Sequence, residues 1–582
     1  MSGNESWSAR YTRLMHRVHA RLTSRARAAT GFVSQPEPRT IGSFNRGRQL
    51  IAGNLMFAGH LIEANDAMIW DLPAPDAAFV EQIHGFGWLD DLAAVGDANA
   101  RAVAQKWLWG WIERYDNGSG PGWTPDLAGR RLIRWTHHAL FLLMGREAAE
   151  SEAFYKSLAH QTLFLGRRWP KAAPGLPRFE ALTGLLYAGI SLSGMEQFVG
   201  PAKSALAREC ARQIDEQGGI PTRNPEELLE VFTLLTWAAA ALEETKNSVD
   251  DLHQQAIERI APTLRALRHA DGGLARFHGG GRGLDGRLDQ ALAASGVRNQ
   301  ADGLAMGFAR LSAGRTSVIV DASAPPRGMA SFNAHASTLA FELTSGRRPL
   351  IVNCGSGAAF GEDWRRAGRA TPSHSTLALE GYSSARLGKE GLIGGARREM
   401  LEDAPQDVPV QISHANDGLL FEGGHDGYLS THGLTHARIL ELTFDGRALV
   451  GEDMLLALKA TEKRRFDKAM DAVRLAGVPF HIRFHLHPDV DCEIDLGGTA
   501  VSLALRSGEI WVFRHEGEAE MSLEPSVYLE SGRLRPRATK QIVLTHRAME
   551  YATRIRWSLS KAQETAIAVR DLYRDDDYDF DS

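Results

Sequence analysis

The sequence predicts a chain in two parts, an all-helical part followed by an all-β part built as a large antiparallel sandwich. Two observations predict this fold class. From about residue 48 to residue 310 apolar residues recur with the helical period, and near residue 310 the period changes to two. At 582 residues the chain is also too long for one hydrophobic core, so two to four domains are expected.

Amphipathic helices account for the first part. Apolar residues at i, i+3, i+4 and i+7 mark AFVEQIHGFGWLDDLAAVG, ANARAVAQKWLWGWIERY, RRLIRWTHHALFLLMG and PEELLEVFTLLTWAAAALEE. Segments rich in glycine, proline and aspartate, such as DNGSGPGWTPD, separate these stretches. Repeated helical pairs of this length predict helical hairpins packed around a common centre.

Short strands with glycine-containing turns account for the second part. They include TSVIVDA, TLAFELTS, RPLIVNCG, HIRFHLHP and VSLALRSGEIWVFRH, and strands at this spacing are typical of an antiparallel sandwich. The pair FNAHASTLAFELTSGRRPLIVNCGSG carries Asn333, His335 and Asn353, polar side chains that rarely line a strand face without partners. The deepest cleft is expected between the helical part and the β part.

These patterns divide the chain into four segments. Residues 1–47 form a basic, helical extension, residues 48–310 the helical domain, residues 311–560 the β-sandwich domain, and residues 561–582 an acidic tail expected to be disordered. The extension lacks the apolar core of a secretory signal, and no window reaches the ~18 apolar residues of a spanning helix. We therefore expect a cytoplasmic protein without a transmembrane segment, with the cell envelope or periplasm as the alternative.

Composition excludes several function classes. A formal net charge of −5 argues against binding of nucleic acid or an anionic membrane by the chain as a whole, although a local basic groove stays open. Cys210, Cys354 and Cys492 are far apart and none belongs to a CxxC pair, so no thiolate zinc site or disulfide framework is predicted. Arginine outnumbers lysine, which suits bidentate binding of carboxylate or sulfate.

Several segments resemble the heparinase II/III-like family of polysaccharide lyases. In the helical part they are FGWLDDL (86–92), WTPDLAGRRLIRW (123–135) and IDEQGGIPTRNPEELLE (214–230). In the β part they are NAHASTLAFELTSGRRPLIVNCG (333–355), RATPSHSTL (369–377) and HDGY (425–428). The resemblance implies an incomplete (α/α) toroid followed by an antiparallel β-sandwich. It also implies a carbon-oxygen lyase that acts on an acidic, uronate-containing polysaccharide or oligosaccharide.

Such a lyase works by β-elimination, which needs a group to neutralise the uronate carboxylate, a base for the C5 proton and an acid for the departing O4. By the resemblance, His335 matches the second histidine of the family's His-x-His-x-Asp strand, and His374 matches the histidine of its Ala-His-Asn segment. Tyr428 lies in a glycine-rich β segment and is a candidate proton donor, with a hydroxyl that caps a turn as the alternative. The catalytic candidates are therefore His335, His374 and Tyr428.

The same positions bear on metal binding, because in part of the family they resemble a zinc-type site with one carboxylate and two histidines. Here Asn353 occupies the carboxylate position and Asn333 the first histidine position. A neutral amide is a poor zinc ligand. Two arrangements are therefore compatible with the sequence. One is a zinc site formed by His335, Asn353 and His374, and the other is a metal-free arrangement in which Asn353 and His374 form hydrogen bonds across strands.

The helical part departs further from the family. Its lyases often carry a tyrosine in a Ser-Pro-x-Tyr-His segment, where this chain has RNPEEL with Glu227 in the tyrosine position. Leu176 and Pro177 replace a neighbouring Asn-His pair. Because two helical-side catalytic groups are missing, a second hypothesis is a carbohydrate-binding or scaffolding protein that kept the groove and lost the acid/base pair.

Six residues are candidates for contact with the substrate. Arg131 and Trp135 lie one helical turn apart, so the guanidinium would bind a carboxylate while the indole packs beneath a sugar ring. A buried tryptophan with an arginine passing over it is the alternative. Arg223 and Asn224 precede a proline at a predicted helix start, where the helix dipole favours an anion. The full set is Arg131, Trp135, Arg178, Arg223, Asn224 and Asn333.

A third hypothesis is a toroid-type glycoside hydrolase. That chemistry needs two carboxylates that face each other at a defined separation. Glu180, Glu227 and Glu230 are the candidates, but nothing in the sequence pairs them across a cleft.

Overall fold

Helices and one short hairpin fill the first part of the chain. The computed structural model describes residues 7–25, 27, 29–393, 396–562 and 571. The helices are α1 (Trp7–Thr23), α2 (Phe44–Ile51), α3 (Ala77–His84), α4 (Gly87–Val95), α5 (Ala98–Tyr115), α6 (Pro125–His137), α7 (Ala139–Leu143), α8 (Ala148–Arg168), α9 (Leu176–Ser191), α10 (Val199–Gln213), α11 (Pro225–Glu244), α12 (Asp251–Ala266) and α13 (Arg287–Ser295). The hairpin consists of β1 (Asn54–Phe57) and β2 (His60–Glu63).

Local signals set the helix limits. Asp97 and Asp250 cap α5 and α12 through their side chains, and Asn224 caps α11 by accepting hydrogen bonds from the backbone N–H groups of Glu226 and Glu227. A side-chain acceptor at this position satisfies the amides that a helix leaves unpaired at its start. The first turn of α11, which carries the candidate acid Glu227, is therefore fixed in place.

Glycine allows a close contact between helices α6 and α9. A Cβ atom on Gly129 would lie 2.2 Å from the Glu180 carbonyl oxygen, and one on Gly184 would lie 2.4 Å from the Gly129 Cα atom. Both neighbours are backbone, which cannot move aside as a flexible side chain would. The two helices therefore pack backbone against backbone, and this contact places Arg130 beside Glu180.

Two antiparallel sheets dominate the second part. One has the strand order β12-β13-β14-β15-β22-β19-β18-β17, and the other has the order β20-β21-β16-β6-β5-β4-β3, with β7 also paired to β16. The strands are β3 (Phe308–Ala313), β4 (Thr316–Asp321), β5 (Phe341–Ser345), β6 (Arg348–Val352), β7 (Leu377–Leu379), β8 (Arg386–Leu387), β9 (Gly391–Ile393), β10 (Ala396–Arg398), β11 (Leu401–Glu402), β12 (Val410–His414), β13 (Gly418–Tyr428), β14 (Leu434–Thr443), β15 (Ala448–Leu456), β16 (Val478–Leu486), β17 (Asp491–Asp495), β18 (Ala500–Ala504), β19 (Ile510–Glu516), β20 (Glu520–Tyr528), β21 (Arg537–Ala548) and β22 (Ala552–Lys561).

The predicted order of a helical part followed by antiparallel sheets is confirmed. Strands such as β14 and β15 alternate buried and partly exposed residues, because one face of the sheet covers the sandwich core. Two features were not predicted. The hairpin β1–β2 interrupts the helical part, and α14 (Glu362–Arg369), α15 (Leu429–His432) and α16 (Ala460–Ala472) lie among the strands.

The structure covers the two ends of the chain to different extents. The helix predicted in the basic extension is α1. The predicted acidic tail lies outside the described residues except for its first two residues and Asp571, whose carboxylate accepts hydrogen bonds from Nε and Nη2 of Arg348 at 2.9 and 3.0 Å. Across the described residues, no helix combines the length and apolar character that crossing a bilayer requires.

Candidate functional site

A pair of histidines lies where the loop before β5 meets the turn before β7. Nδ1 of His335 is 3.0 Å from Nε2 of His374, and Nδ1 of His374 is 2.9 Å from the Ala370 carbonyl oxygen. A carbonyl can only accept, so His374 carries its proton on Nδ1 and accepts through Nε2 the proton on Nδ1 of His335. Burial lowers the pKa of His374 to about 4 and holds that of His335 well below its ordinary value. Both rings are neutral.

A buried polar chain connects this pair to the helical part. The backbone N–H of His335 donates to Nδ1 of His278 at 3.2 Å, and Nε2 of His278 lies 3.4 Å from an oxygen of Asp321. Asp321 also accepts from Arg223 and Ser337, each at 2.7 Å. Burial alone would raise the pKa of Asp321, but Arg223 and His278 hold it below the ordinary value. The carboxylate is therefore ionised and fully bonded.

Arg223 acts as a clamp between the two parts of the chain. It comes from the turn before α11 and donates to the carbonyl oxygens of Met306, Gly307 and Ala324 at 2.9–3.1 Å, besides binding Asp321. Those carbonyls belong to the segments on either side of β3 and β4. The guanidinium is thus used in binding the chain itself.

The other predicted contacts on the helical side are also engaged internally. Arg131 is fully buried, lies 4.5 Å over the ring of Trp111, and donates to Oε1 of Gln161 at 2.7 Å. Trp135 is buried edge-on against the same tryptophan. This matches the alternative interpretation of a buried tryptophan with an arginine beside it.

The remaining substrate candidates differ in exposure. Arg178 forms an ion pair with Glu209 at 3.2 Å and donates to the Ala172 carbonyl oxygen at 2.8 Å. Asn224 is the cap of α11 described above. Asn333 is half-buried and lies against Gly279 of the loop that follows α12. Asn333 and Arg178 are therefore the two substrate candidates that are partly exposed.

Tyr428 lies in the core of the sandwich. Its ring is fully buried among apolar side chains, and its hydroxyl donates to the Leu377 carbonyl oxygen at 3.1 Å. Burial raises the pKa of this hydroxyl above the ordinary value. The hydroxyl therefore bonds to a backbone carbonyl of β7, which resembles the alternative in which it caps a turn.

The predicted zinc ligands do not form a metal-binding donor set. The side-chain oxygen of Asn353 accepts from the Ser375 backbone N–H at 3.0 Å, and its nitrogen donates to Glu342 at 3.4 Å. The two histidine rings are bonded to each other, as described. Within the described ranges no three histidine, cysteine or acidic side chains converge as a metal site. The hydrogen bonds of Asn353 connect neighbouring strands, as in the alternative to a zinc site.

The candidate acids of a hydrolase are spread over three environments. Glu180 pairs with Arg130 at 2.7 Å, and burial raises its pKa to about 7 against the opposing charge of that arginine. Burial also raises the pKa of Glu227, and the neighbouring Thr222 side chain opposes this shift. Glu230 is ion-paired with Arg287. Glu180 and Glu230 are thus each paired with an arginine.

An arginine-lined cavity of about 340 Å³ opens where the loop after α12 meets the strand ends of the sandwich. Arg276 lies 4.0 Å over the ring of Tyr528 and donates to the Asn353 carbonyl oxygen at 3.0 Å, which connects the cavity to the strand pair containing Asn353. Arg348 lines the cavity and holds Asp571. The arginines of this cavity are Arg276, Arg282, Arg347, Arg348, Arg506, Arg533 and Arg537, and its acids are Asp271, Glu342, Asp489 and Glu530.

Sequence reasoning missed this cavity. Two local signals pointed to it, the Arg-Arg-Pro run at 347–349 and the GRLRPR segment at 532–537. They are far apart in sequence and become neighbours only because β6 and β21 both pair with β16. Arginine clusters of this kind suit carboxylate or sulfate groups, because the planar guanidinium donates two parallel hydrogen bonds.

Comparison with known proteins places this architecture among similar chains. Residues 295–558 match the family model described as "Heparinase II/III-like, C-terminal". The curated "FtsZ-localized protein C" of Caulobacter vibrioides is 30% identical over 543 residues, which cover 92% of this chain and 91% of that protein. The crystal structure of heparinase III matches with a TM-score of 0.64 at 13% identity, covering 95% of this chain and 89% of that one. A heparan sulfate lyase HepC mutant from Pedobacter heparinus matches with a TM-score of 0.55 at 15% identity, covering 95% and 88%.

At these low identities the solved structures bear on the fold alone. They confirm the predicted arrangement of a helical toroid followed by an antiparallel β-sandwich over nearly the whole chain.

Proposed function

Because this chain belongs to the heparinase II/III-like family, we propose that it is a glycan-binding protein of lyase fold that binds an acidic saccharide without cleaving it. Its ligand class is a uronate-containing oligosaccharide or polysaccharide, bound in the arginine-lined cavity. This is the second of the hypotheses drawn from the sequence, and the first, cleavage by β-elimination, is the outcome that would overturn it.

The observation that carries the proposal is the fork between Arg348 and the carboxylate of Asp571, at 2.9 and 3.0 Å. In this contact the aspartate carboxylate stands for the uronate carboxylate of a ligand. Seven arginines and four acids line the cavity, so the lining is net positive even with the Asp571 carboxylate bound to Arg348. Tyr528 adds an aromatic ring beneath Arg276. Guanidinium forks and an aromatic ring are the groups that hold an acidic sugar.

The positions of the catalytic candidates support binding without cleavage. A base in β-elimination must come within hydrogen-bond reach of the C5 proton. His335 is 3% exposed and donates its Nδ1 proton to His374, while Tyr428 is bonded to a backbone carbonyl inside the core. On the helical side, Glu227 and Pro177 stand where active lyases have proton-transfer groups. A base and an acid therefore do not converge on an open surface at the predicted positions.

The experiment is a binding measurement by titration calorimetry with uronate oligosaccharides and a neutral oligosaccharide as reference. The acidic ligands should bind and the neutral one should not. Arg347→Ala with Arg533→Ala should weaken binding at least tenfold, because each change removes a charge-assisted hydrogen bond worth about 1.5–3 kcal/mol. Arg554→Ala, on an exposed arginine of β22 outside the cavity, is the matched control. Equal affinity in all variants would overturn the assignment of the cavity.

A second candidate function is association with FtsZ filaments. The relative whose printed name is "FtsZ-localized protein C" shares 30% identity over 92% of this chain, so the similarity extends over both parts. Co-sedimentation of the full chain with polymerised FtsZ tests this candidate directly. Enrichment of the chain in the filament pellet would support it, and equal amounts in pellets with and without filaments would contradict it.

A further inference from the structure

Two arginines that line the cavity bind a carboxylate from the end of the chain. Nε and Nη2 of Arg348 donate to the two carboxylate oxygens of Asp571 at 2.9 and 3.0 Å, and Nη2 of Arg347 lies 3.9 Å from one of them. The side chains of Asp571 and Arg348 are 5% and 7% exposed. This fork is therefore shielded from solvent, and such a paired contact is stronger and more specific in its geometry than a single hydrogen bond.

The acids that line the cavity come from a different part of the chain. Each of them pairs with cavity arginines: Asp271 with Arg282, Glu342 with Arg276, Asp489 with Arg506 and Arg537, and Glu530 with Arg533. These acids lie in the loops and at the strand ends that form the cavity, whereas Asp571 lies beyond β22. The pair Arg347–Arg348 therefore takes a carboxylate from the end of the chain, while the other five arginines take theirs from the cavity wall.

The end of β22 lies close to this arginine pair. Lys561, the last residue of the strand, forms an ion pair with Glu509 at 3.7 Å. Glu509 accepts a hydrogen bond from the Ser345 hydroxyl, and Ser345 is paired with Arg348 between β5 and β6. The chain therefore leaves the sandwich beside Arg348. A ligand that is covalently attached near its binding site has a high effective concentration there.

We propose that the C-terminal segment (residues 563–582) is an internal ligand of the arginine-lined cavity, which an acidic saccharide displaces when it binds. The inference rests on the proposed function for the identity of the displacing ligand. Asp571 and a uronate present the same chemical group, so they compete for the same guanidinium fork. The sequence from residue 575 to residue 582 adds five aspartates and no lysine or arginine, which suits a competitor of an anionic ligand.

The first test uses the full chain with Asp571→Asn, which keeps the shape of the side chain and removes its charge. Loss of one charge-assisted hydrogen bond changes a binding constant about 10- to 150-fold. In calorimetry this variant should therefore bind a uronate oligosaccharide at least tenfold more tightly than the parent chain. Asp403→Asn is the matched control, because Asp403 is an exposed aspartate bound by Arg386 at 3.0 Å outside the cavity. The control should bind as the parent does.

The second test does not depend on a saccharide. A fluorescent synthetic peptide of residues 563–582 is titrated into the full chain and followed by fluorescence polarisation. It should bind the Asp571→Asn chain at least tenfold more tightly than the parent chain, because in the parent the attached segment holds the arginine pair. The same peptide carrying Asp571→Asn should bind at least tenfold more weakly than the unchanged peptide.

The two tests separate this inference from the proposed function. Peptide binding that follows this pattern, without saccharide binding to any chain, would support the internal ligand and overturn the proposed function. Equal saccharide affinity in the parent and Asp571→Asn chains would overturn the internal ligand and leave the proposed function standing. Failure of the peptide to bind the Asp571→Asn chain would also overturn the internal ligand.

Discussion

His335 and His374 form a hydrogen-bonded pair. The hydrogen bonds show which ring nitrogen of each histidine carries the proton. His374 donates to the Ala370 carbonyl and accepts from His335. Both rings are buried and neutral, so neither is poised at ordinary pH as a charged group. The pair joins the loop before β5 to the turn before β7.

Replacing His374 should change how stability depends on pH. Its folded pKa is about 4 and its ordinary value is 6.5, so between these pH values the unfolded chain binds a proton that the folded chain does not. The free energy of unfolding therefore falls as pH falls through this window, by up to about 1.4 kcal/mol per pH unit for one histidine. His374→Asn should flatten that slope in urea unfolding measured from pH 6.5 to pH 4.5. An unchanged slope, equal to that of the exposed-site variant His414→Asn, would contradict this.

Tyr428→Phe separates a structural role from a catalytic one. The change removes one buried hydrogen bond to the Leu377 carbonyl, and we expect a loss of about 1 kcal/mol in the free energy of unfolding. Saccharide affinity should stay at the parental value, because the ring lies in the sandwich core. A tyrosine that acts on the ligand would show the reverse pattern, with lost function and unchanged stability.

At the scale of single residues, the sequence could locate polar side chains but could not predict their environment. Spacing correctly placed Arg131 and Trp135 on one face of α6, yet periodicity does not say whether that face meets solvent or the aromatic core. The residues of the arginine-lined cavity could not be recognised as a group from the sequence. Each is unremarkable in its own segment, and strand pairing alone brings them together.

The contact between α6 and α9 gives the prediction at the scale of elements. Gly184→Ala would place a methyl group 2.4 Å from the Gly129 Cα atom, so the helices must separate, at a cost of about 1–3 kcal/mol. Gly200→Ala in α10 is the matched control, since a Cβ atom there meets nothing within 4 Å. That variant should be neutral or stabilised by up to about 1 kcal/mol. Thermal unfolding of the two variants checks the difference, and equal destabilisation would contradict it.

Elements with a long, regular pattern could be predicted, and those defined by distant partners could not. Helices such as α5, α6 and α11 and strands such as β4 follow from their periods. The hairpin β1–β2 is four residues on each side, too short to carry a period. The order of the two sheets was also out of reach, because β16 pairs with β21, β6 and β7 across long stretches of chain.

Arg223 is one of the side chains that join the two parts of the molecule, and it binds Asp321 and the segments flanking β3 and β4. Arg223→Ala would leave the Asp321 carboxylate buried without its guanidinium, and we expect a loss of about 3–5 kcal/mol. Calorimetry should then show the two parts unfolding in separate transitions. Arg554→Ala, an exposed arginine of β22, should unfold as the parent does. A single transition at the parental temperature in Arg223→Ala would contradict this and show that the remaining contacts, such as Arg276 to Asn353, couple the two parts without Arg223.

The central claim is that this lyase-fold protein binds an acidic saccharide and does not cleave it. The most direct measurement incubates the full chain with the uronate oligosaccharides that bind it and follows the absorbance of the 4,5-unsaturated uronate that β-elimination produces. We predict saturable binding with no rise in this absorbance above a protein-free sample. A rise that persists at catalytic protein concentration and disappears in His335→Ala would contradict the account and establish the protein as a lyase.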